Sequence, residues 1–409
     1  MVSDKTNFSS RSLLLTSVVI LVLVTIVAVI TRLWVLTAIP IGFLFGFFLE
    51  KADLCGSSAF SEVILMKDSR KLWGLWIVIV VSMIGFALLD FFDLITLNPR
   101  PFLWASYVVG GVLFGSGMVL AGGCISGSLF KTGQGNMNSM AALVAIPLGI
   151  AAVEYGPLKG LNQSLLQKVI LSTDGGPVTL PSLTGLSYQA LAIVFILVTT
   201  AVVFLSQRRN PLKKLPKENN KPLLLRIIAH PWKPWQAGIA IGILASFAYL
   251  SSAASGRNYP LGVTHGVLQT QLLFTDYPLE HVWSKAPLNQ EMTKAMVMKK
   301  DPKENQKPPK KIFWWLILEV VSLVFGANVS ARLSGKIKFA PKPPDEMIFA
   351  FVGGLLTGAG AALAGGCVIG NIMSGFALMS VGHMLFGIVV MLTNWITTYF
   401  YMMGAQWTH

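Results

Sequence analysis

The residues best placed to do chemistry in this 409-residue chain are its three cysteines, Cys55, Cys124 and Cys367. Three is too few, and too odd, for a disulfide scaffold, so free thiols are expected. Two of them sit in a stretch that is written twice. Residues 110–127 read GGVLFGSGMVLAGGCISG and residues 353–370 read GGLLTGAGAALAGGCVIG, identical at 11 of 18 positions with a constant offset of 243. Each copy is an apolar run that ends in Gly-Gly-Cys and then resumes as another apolar run. A lone cysteine in a membrane helix is ordinarily a small apolar filler. Repetition at a helix break argues for a role instead, because interrupted hydrophobic segments at matching places in two halves point to a transport site.

At each break, Gly122-Gly123 and Gly365-Gly366 free backbone N–H groups, and the following short helix aims its N-terminus inward. Helix N-termini carry partial positive charge and attract anions. A backbone cradle with an S–H donor suits a small anion that carries a soft sulfur or selenium atom. Cys55 lies in a different setting, Glu50-Lys51-Ala52-Asp53-Leu54-Cys55-Gly56-Ser57-Ser58-Ala59-Phe60, with no thiol in the corresponding stretch 255–264. Ser57 and Ser58 either donate to an anion or cap the short helix that follows. Arg257 is either a field source beside the outer mouth of a pore or a snorkelling side chain. Lys131 stands between the same two roles on the inner side, His265 reads as a satisfied core donor, and Glu50 with Lys51 reads as an interfacial salt bridge.

These residues need a membrane scaffold. The chain is 54% hydrophobic and 12% charged, with mean hydropathy +0.65, far from a soluble domain, where charged residues approach a quarter. Apolar runs predict spanning helices near 13–31, 34–49, 72–92, 102–121, 136–154, 188–206, 235–252, 312–330, 347–364 and 378–400. Four segments too brief to span, near 55–66, 123–132, 262–274 and 366–375, read as re-entrant. The fold class expected is all-α and polytopic, with two inverted repeats of transmembrane helices and short re-entrant helices. The organisation is an extra N-terminal helix (1–33), a first unit (34–187), a linking helix and basic loop (188–234), a second unit (235–400) and a tail (401–409). The second unit carries a Lys/Glu/Pro-rich insert, 275–311, read as a mobile loop.

The formal charge of +14 falls mostly in connecting segments, which argues against nucleic acid and for the cytoplasmic side of a membrane. Arg208, Arg209, Lys213, Lys214, Lys217, Lys221, Arg226 and Lys233 make 206–234 the cytoplasmic loop, which places both termini inside. The insert then lies outside despite its lysines, a conflict within the charge rule. The first apolar run lacks a cleavage pattern and is expected to be retained. No metal-ligand spacing, nucleotide-cradling loop or cofactor fingerprint is present in the sequence, so no cofactor is expected.

At Glu50-Lys51-x-x-x-Cys55-x-Ser57-Ser58-Ala59-Phe60, Leu120-Ala121-Gly122-Gly123-Cys124 and Leu363-Ala364-Gly365-Gly366-Cys367 the chain resembles the YeeE/YedE family, the sulfur-transport-domain membrane proteins. The similarity covers most of 34–400. It implies uptake of thiosulfate across the inner membrane, with Cys55, Cys124 and Cys367 lining a central constriction and passing the anion by transient S–H···S contacts. It also implies a small cytoplasmic sulfurtransferase-like partner. Some relatives are associated with selenium compounds, and these motifs do not separate the two substrates. Two other classes compete: a membrane thiol enzyme that accepts sulfane sulfur, and a passive pore for water or a neutral solute.

Overall fold

The computed structural model describes residues 2–172, 175–209, 230–274, 279–283, 310–337, 339 and 342–403. Among these, helices dominate for the reason that governs any chain in hydrocarbon: every backbone polar group must be satisfied within its own segment. Ten helical stretches are long and apolar enough to cross a membrane. The protein is an all-α, polytopic membrane protein.

In chain order the helices are α1 (Val2–Thr31), a 3-10 turn (Trp34–Thr37), α2 (Ala38–Ala52), α3 (Gly56–Leu65), α4 (Arg70–Phe91), α5 (Trp104–Leu120), α6 (Ile125–Gly133) and α7 (Met137–Glu154). Short helices α8 (Lys159–Leu166) and α9 (Leu180–Thr184) precede α10 (Tyr188–Arg209). The second half holds α11 (Pro234–Ala254), α12 (Thr264–Leu272), α13 (Trp314–Leu333), α14 (Pro344–Leu363), a π-helix (Val368–Gly375) and α15 (Val381–Thr398). Proline opens α11 and α14, where its missing N–H costs nothing.

All four segments expected to be too brief to span are short helices, as α3, α6, α12 and the Val368–Gly375 π-helix. Three features differ from the sequence reading. Helix α1 begins at Val2, a turn or more before the apolar run. Helices α8 and α9 were not anticipated, since each is polar enough to escape an apolar-run reading. The ends of the insert also pair as parallel strands, β1 (Leu279–Val282) against β2 (Lys310–Phe313), and Trp283 stacks on Trp314 at a centroid distance of 4.7 Å. The expected mobility of the insert falls on residues outside the described set, as do most of the basic residues of 206–234.

Glycine contacts fix how the long helices run. Gly110 faces Gly360 and Ala364, while Gly117 faces Gly353 and Thr357, so α5 and α14, the two copies of the repeated stretch, lie antiparallel. Helices α2 and α11 are likewise antiparallel: the Thr37 and Ser251 hydroxyls meet at one end, and the Trp232 N–H donates to the Lys51 carbonyl (2.9 Å) at the other. Every other major contact has a counterpart. Helix α2 packs on α13 as α4 packs on α11, and α7 packs on α14 as α15 packs on α5. Small residues at these crossings let the backbones approach where lipid offers no hydrophobic drive. Helix α1 and most of α10 present exposed apolar side chains, the surface expected to meet acyl chains.

Candidate functional site

Each cysteine is the residue immediately before a short helix. Cys55 precedes α3, Cys124 precedes α6 and Cys367 precedes the π-helix, all three with extended backbone. Their carbonyls accept the first helical bonds, from Ala59 N–H (2.9 Å), Ser128 N–H (2.8 Å) and Asn371 N–H (2.8 Å). At none of the three does a side chain cap the helix. A thiol caps poorly, whereas Ser, Thr, Asp or Asn would tie up an N–H with its own oxygen. Three helix N-termini therefore end at thiols. All three thiols are free and fully buried.

The structure brings Cys55 and Cys124 into contact, Sγ to Sγ 3.9 Å, with the Ser126 hydroxyl 3.2 Å from the Cys124 sulfur. Cys367 lies on the other side of a tight junction: a Cβ on Gly56, next to Cys55, would meet Val368, next to Cys367, at 2.7 Å. The Thr264 hydroxyl faces the Cys367 thiol. The Ser128 hydroxyl, one turn beyond Cys124, is buried and makes no hydrogen bond among the described residues.

The glycines do two jobs. Gly122 (φ +66°) and Gly365 (φ +67°) take the left-handed conformation that ends α5 and α14, a conformation strained for any other residue. The second glycine of each pair admits close neighbours, with Gly366 packed against the Asn371 amide. That amide donates to the carbonyls of Ala364 and Gly366, both at 3.1 Å.

A cation sits at each break. Lys131 Nζ donates to the Gly122 carbonyl (2.7 Å), and the Arg100 guanidinium donates to the Gly365 carbonyl. The breaks open at opposite ends of the bundle. Helix α6 runs out to Gly133 and Gln134, which meet Asn328 and Glu50, whereas Arg100 lies just ahead of the start of α5. Arg100 also stacks over Tyr259 (4.7 Å to the ring centroid), whose hydroxyl donates to the Gly370 carbonyl (2.8 Å). A cleft of about 250 Å³ leads to this point, lined by Arg100, Tyr107, Glu154, Asn162 and Gly365. A larger hollow of about 520 Å³ between α4, α10 and α15 is lined almost wholly by apolar side chains and has no anion chemistry.

Other expected site residues resolve differently. Ser57 donates to the Met118 carbonyl (2.9 Å) and Ser58 to the Cys55 carbonyl (3.2 Å), so neither hydroxyl caps α3. Arg257 turns inward, donates to the Pro260 carbonyl (2.8 Å) and lies over the Trp315 ring (5.4 Å). His265 faces the Glu154 carboxylate at 3.6 Å. Glu50 and Lys51 are fully buried among protein groups. Glu50 accepts from Ser330 (2.5 Å) and pairs with Lys336 (3.1 Å), and Lys51 donates to Ser334 (2.6 Å), so the pair pins the end of α2 to the end of α13. Sequence reasoning missed Arg100 and Tyr259. Arg100 reaches Gly365 across 265 positions, and no local pattern encodes that contact.

A bundle of membrane helices with paired breaks, each ending at a buried thiol, defines a class of polytopic membrane protein. The chain belongs to the sulphur-transport family, whose profile matches residues 51–396. It is 29% identical over 369 residues (88% of this chain, 96% of the relative) to the thiosulfate transporter TsuA of Spirochaeta thermophila. It is 25% identical over 347 residues (85% and 88%) to the thiosulfate transporter TsuA of Escherichia coli. A shorter match, 34% over 97 residues (23% of each chain), is to the probable transporter YedE of Escherichia coli.

Proposed function

We propose that this protein moves thiosulfate inward across the inner (plasma) membrane, through a constriction formed by Cys55, Cys124 and Cys367. The observation that carries the reading is the placement of all three thiols at the N-termini of short buried helices, with Cys55 against Cys124. The full-length similarity to proteins named thiosulfate transporters supports the substrate. The antiparallel placement of α5 against α14 and of α2 against α11 supports reading the two halves as inverted repeats.

On this reading the anion is first held by charge and then handed over by weak donors. Arg100 and Lys131 stand at the two mouths, spending one donor each on a break carbonyl and keeping their charge for the anion. Within the constriction the anion exchanges water for helix N-termini, the Ser128 and Thr264 hydroxyls and S–H groups. A divalent ion loses much hydration there. Among the described residues no lysine or arginine hydrogen-bonds a thiol, and conduction needs sites favourable enough to enter and weak enough to leave. The mouth at Lys131 faces the cytoplasm, as do both termini, and a small sulfurtransferase-like protein receives the product there.

The test is uptake of labelled thiosulfate and of selenite-class anions by cells lacking their own route, comparing wild type with Cys124→Ala and Cys367→Ala. Loss of thiosulfate uptake in either variant, at normal membrane levels, is expected. Unchanged uptake in both would make the cysteines packing residues and end the proposal. Stoichiometric persulfide on one cysteine during turnover would favour a thiol enzyme instead.

A further inference from the structure

Glu319 is a carboxylate in the interior of α13 with no exposed surface, and among the described residues neither of its oxygens accepts a hydrogen bond of normal geometry. An ionisable group inside a membrane segment is costly to keep and is a functional-site hypothesis by default. The groups whose field it feels are the Arg257 guanidinium and the Gly262 N–H. Arg257 lies over Trp315, one helical turn before Glu319 on the same face of α13. Gly262 lies against the same guanidinium, because a Cβ there would meet its terminal nitrogen at 2.7 Å. Arg257 nevertheless spends its nearest donors on the Pro260 and Tyr259 carbonyls rather than on the carboxylate. The two charges are neighbours without being locked together.

Other titratable groups on the packed elements are remote or already engaged. His265 on α12 faces Glu154. Tyr259 donates its proton to the Gly370 carbonyl. Glu50 and Lys51 on α2, with Lys336, cluster around Ser330 and Ser334. That cluster is about 16 Å along α13 from Glu319 at 1.5 Å per residue. Lys131 on α6 is bound to Gly122 at the same far end.

We propose that Glu319 is a proton site that couples anion movement to protons by setting how much of the Arg257 charge is available to the anion. With Glu319 ionised, the carboxylate neutralises Arg257 and the outer region has little pull on an anion. When a proton from the outer side adds to one carboxylate oxygen, the Arg257 charge is uncompensated, and the Arg100–Arg257–Tyr259 mouth holds the anion. Release of the anion inward leaves Arg257 unbalanced beside a carboxylic acid, which then gives its proton to the inner side. One proton enters with each anion bound, no bond to sulfur is made or broken, and no redox partner is needed. This rests on the transport reading above and adds its driving force.

The test uses the full chain in liposomes with thiosulfate outside, measuring initial uptake with and without an outside-acid gradient, and external pH on thiosulfate addition. For wild type, the gradient should raise uptake about tenfold or more, a protonophore should abolish the increase, and thiosulfate should drive proton influx. Glu319→Gln should keep downhill uptake and lose both the stimulation and the proton influx, whereas Glu319→Asp should retain them. Wild-type uptake indifferent to the gradient would overturn the inference and leave thiosulfate transport standing. A gradient response in Glu319→Gln equal to wild type would overturn it as well. Wild-type liposomes that take up no thiosulfate in any gradient would overturn the transport reading and this inference with it.

Discussion

Gly370 offers a clean test of where the anion passes. It is three residues beyond Cys367, and in the repeat it corresponds to Gly127, three residues beyond Cys124. The two sites differ in what their missing side chains face. A Cβ on Gly127 would run into the Cys55 sulfur, whereas a Cβ on Gly370, although the residue is buried, would meet nothing within 4 Å. The reason is the unmatched thiol, since the second half has no counterpart of Cys55. Gly370 also lies outside the left-handed region, so alanine fits its backbone. Gly370→Ala should therefore keep or raise stability, by about 1 kcal/mol from helix propensity and up to about 0.8 kcal/mol from burying one methyl. Transport should respond in the opposite direction. If the open space beside Cys367 is part of the anion's path, a methyl there overpacks the loaded state by about 1–3 kcal/mol. That is roughly a 5- to 150-fold fall in uptake rate. The assay is initial thiosulfate uptake per membrane-inserted protein, paired with the melting temperature in detergent. Gly160→Ala, on exposed α8 with open space around it, serves as the reference: it should gain the same helix propensity and leave uptake unchanged. A Gly370→Ala protein that is as stable as wild type and transports at the wild-type rate would refute the assignment of that space to the path.

Gly127→Ala should behave in the reverse sense, losing stability as well as uptake because its methyl must displace the Cys55 sulfur, and a melting temperature at the wild-type level would contradict the packing described. Glu50→Gln removes the buried carboxylate that accepts from Ser330 and pairs with the partly exposed Lys336, and should cost about 1.5–3 kcal/mol, read as a drop in melting temperature; a variant as stable as wild type would mean that the α2–α13 junction is held by something else. Arg100→Gln removes a charged donor from the Gly365 break, worth about 1.5–3 kcal/mol. On the transport reading it also removes a charge-assisted donor to the anion, of similar worth, and should raise the thiosulfate concentration for half-maximal uptake roughly 10- to 150-fold; an unchanged value would take Arg100 out of the mouth. Ser57→Ala loses only its bond to the Met118 carbonyl, about 1 kcal/mol, and should keep its uptake; abolished uptake in a stable protein would return Ser57 to the anion path.

What the sequence showed depended on how local the cause was. The Gly-Gly-Cys breaks were legible because helix termination is a local act: a left-handed glycine ends the helix whatever surrounds it, and both Gly122 and Gly365 do so. The spanning helices were legible because hydrocarbon leaves the backbone no other solution. The Glu50-Lys51 pair was legible as charge but its burial was not, because burial depends on Ser330, Ser334 and Lys336, which are some 280 residues away in sequence. Arg100 was invisible for the same reason. The strand pair flanking the insert was hidden because Leu279–Val282 and Lys310–Phe313 are each four residues long and carry no alternation that a reader could separate from loop.

The two halves are alike where they must build a bundle and unlike around the thiols. Helix pairs recur across the repeat, and each break has its cation, yet lysine serves one break and arginine the other. The Lys131 side offers two thiols in contact, while the Arg100 side offers one thiol, an aromatic face and open space. Arginine presents a flat fork that can bind a carbonyl and still hold a tetrahedral anion, whereas lysine is a point charge that lets go more readily. An anion that is gripped at one mouth and only attracted at the other meets unequal barriers to leaving. At equal electrochemical potential on both sides such a protein moves nothing net, since a passive path cannot have a preferred direction at equilibrium. Accumulation against a gradient therefore requires a second coupled species. The asymmetry can set the affinity seen from each side, while net uptake is drawn either by consumption of the anion inside or by a coupled ion, and on the proposal above the buried carboxylate beside Arg257 is the group that couples it.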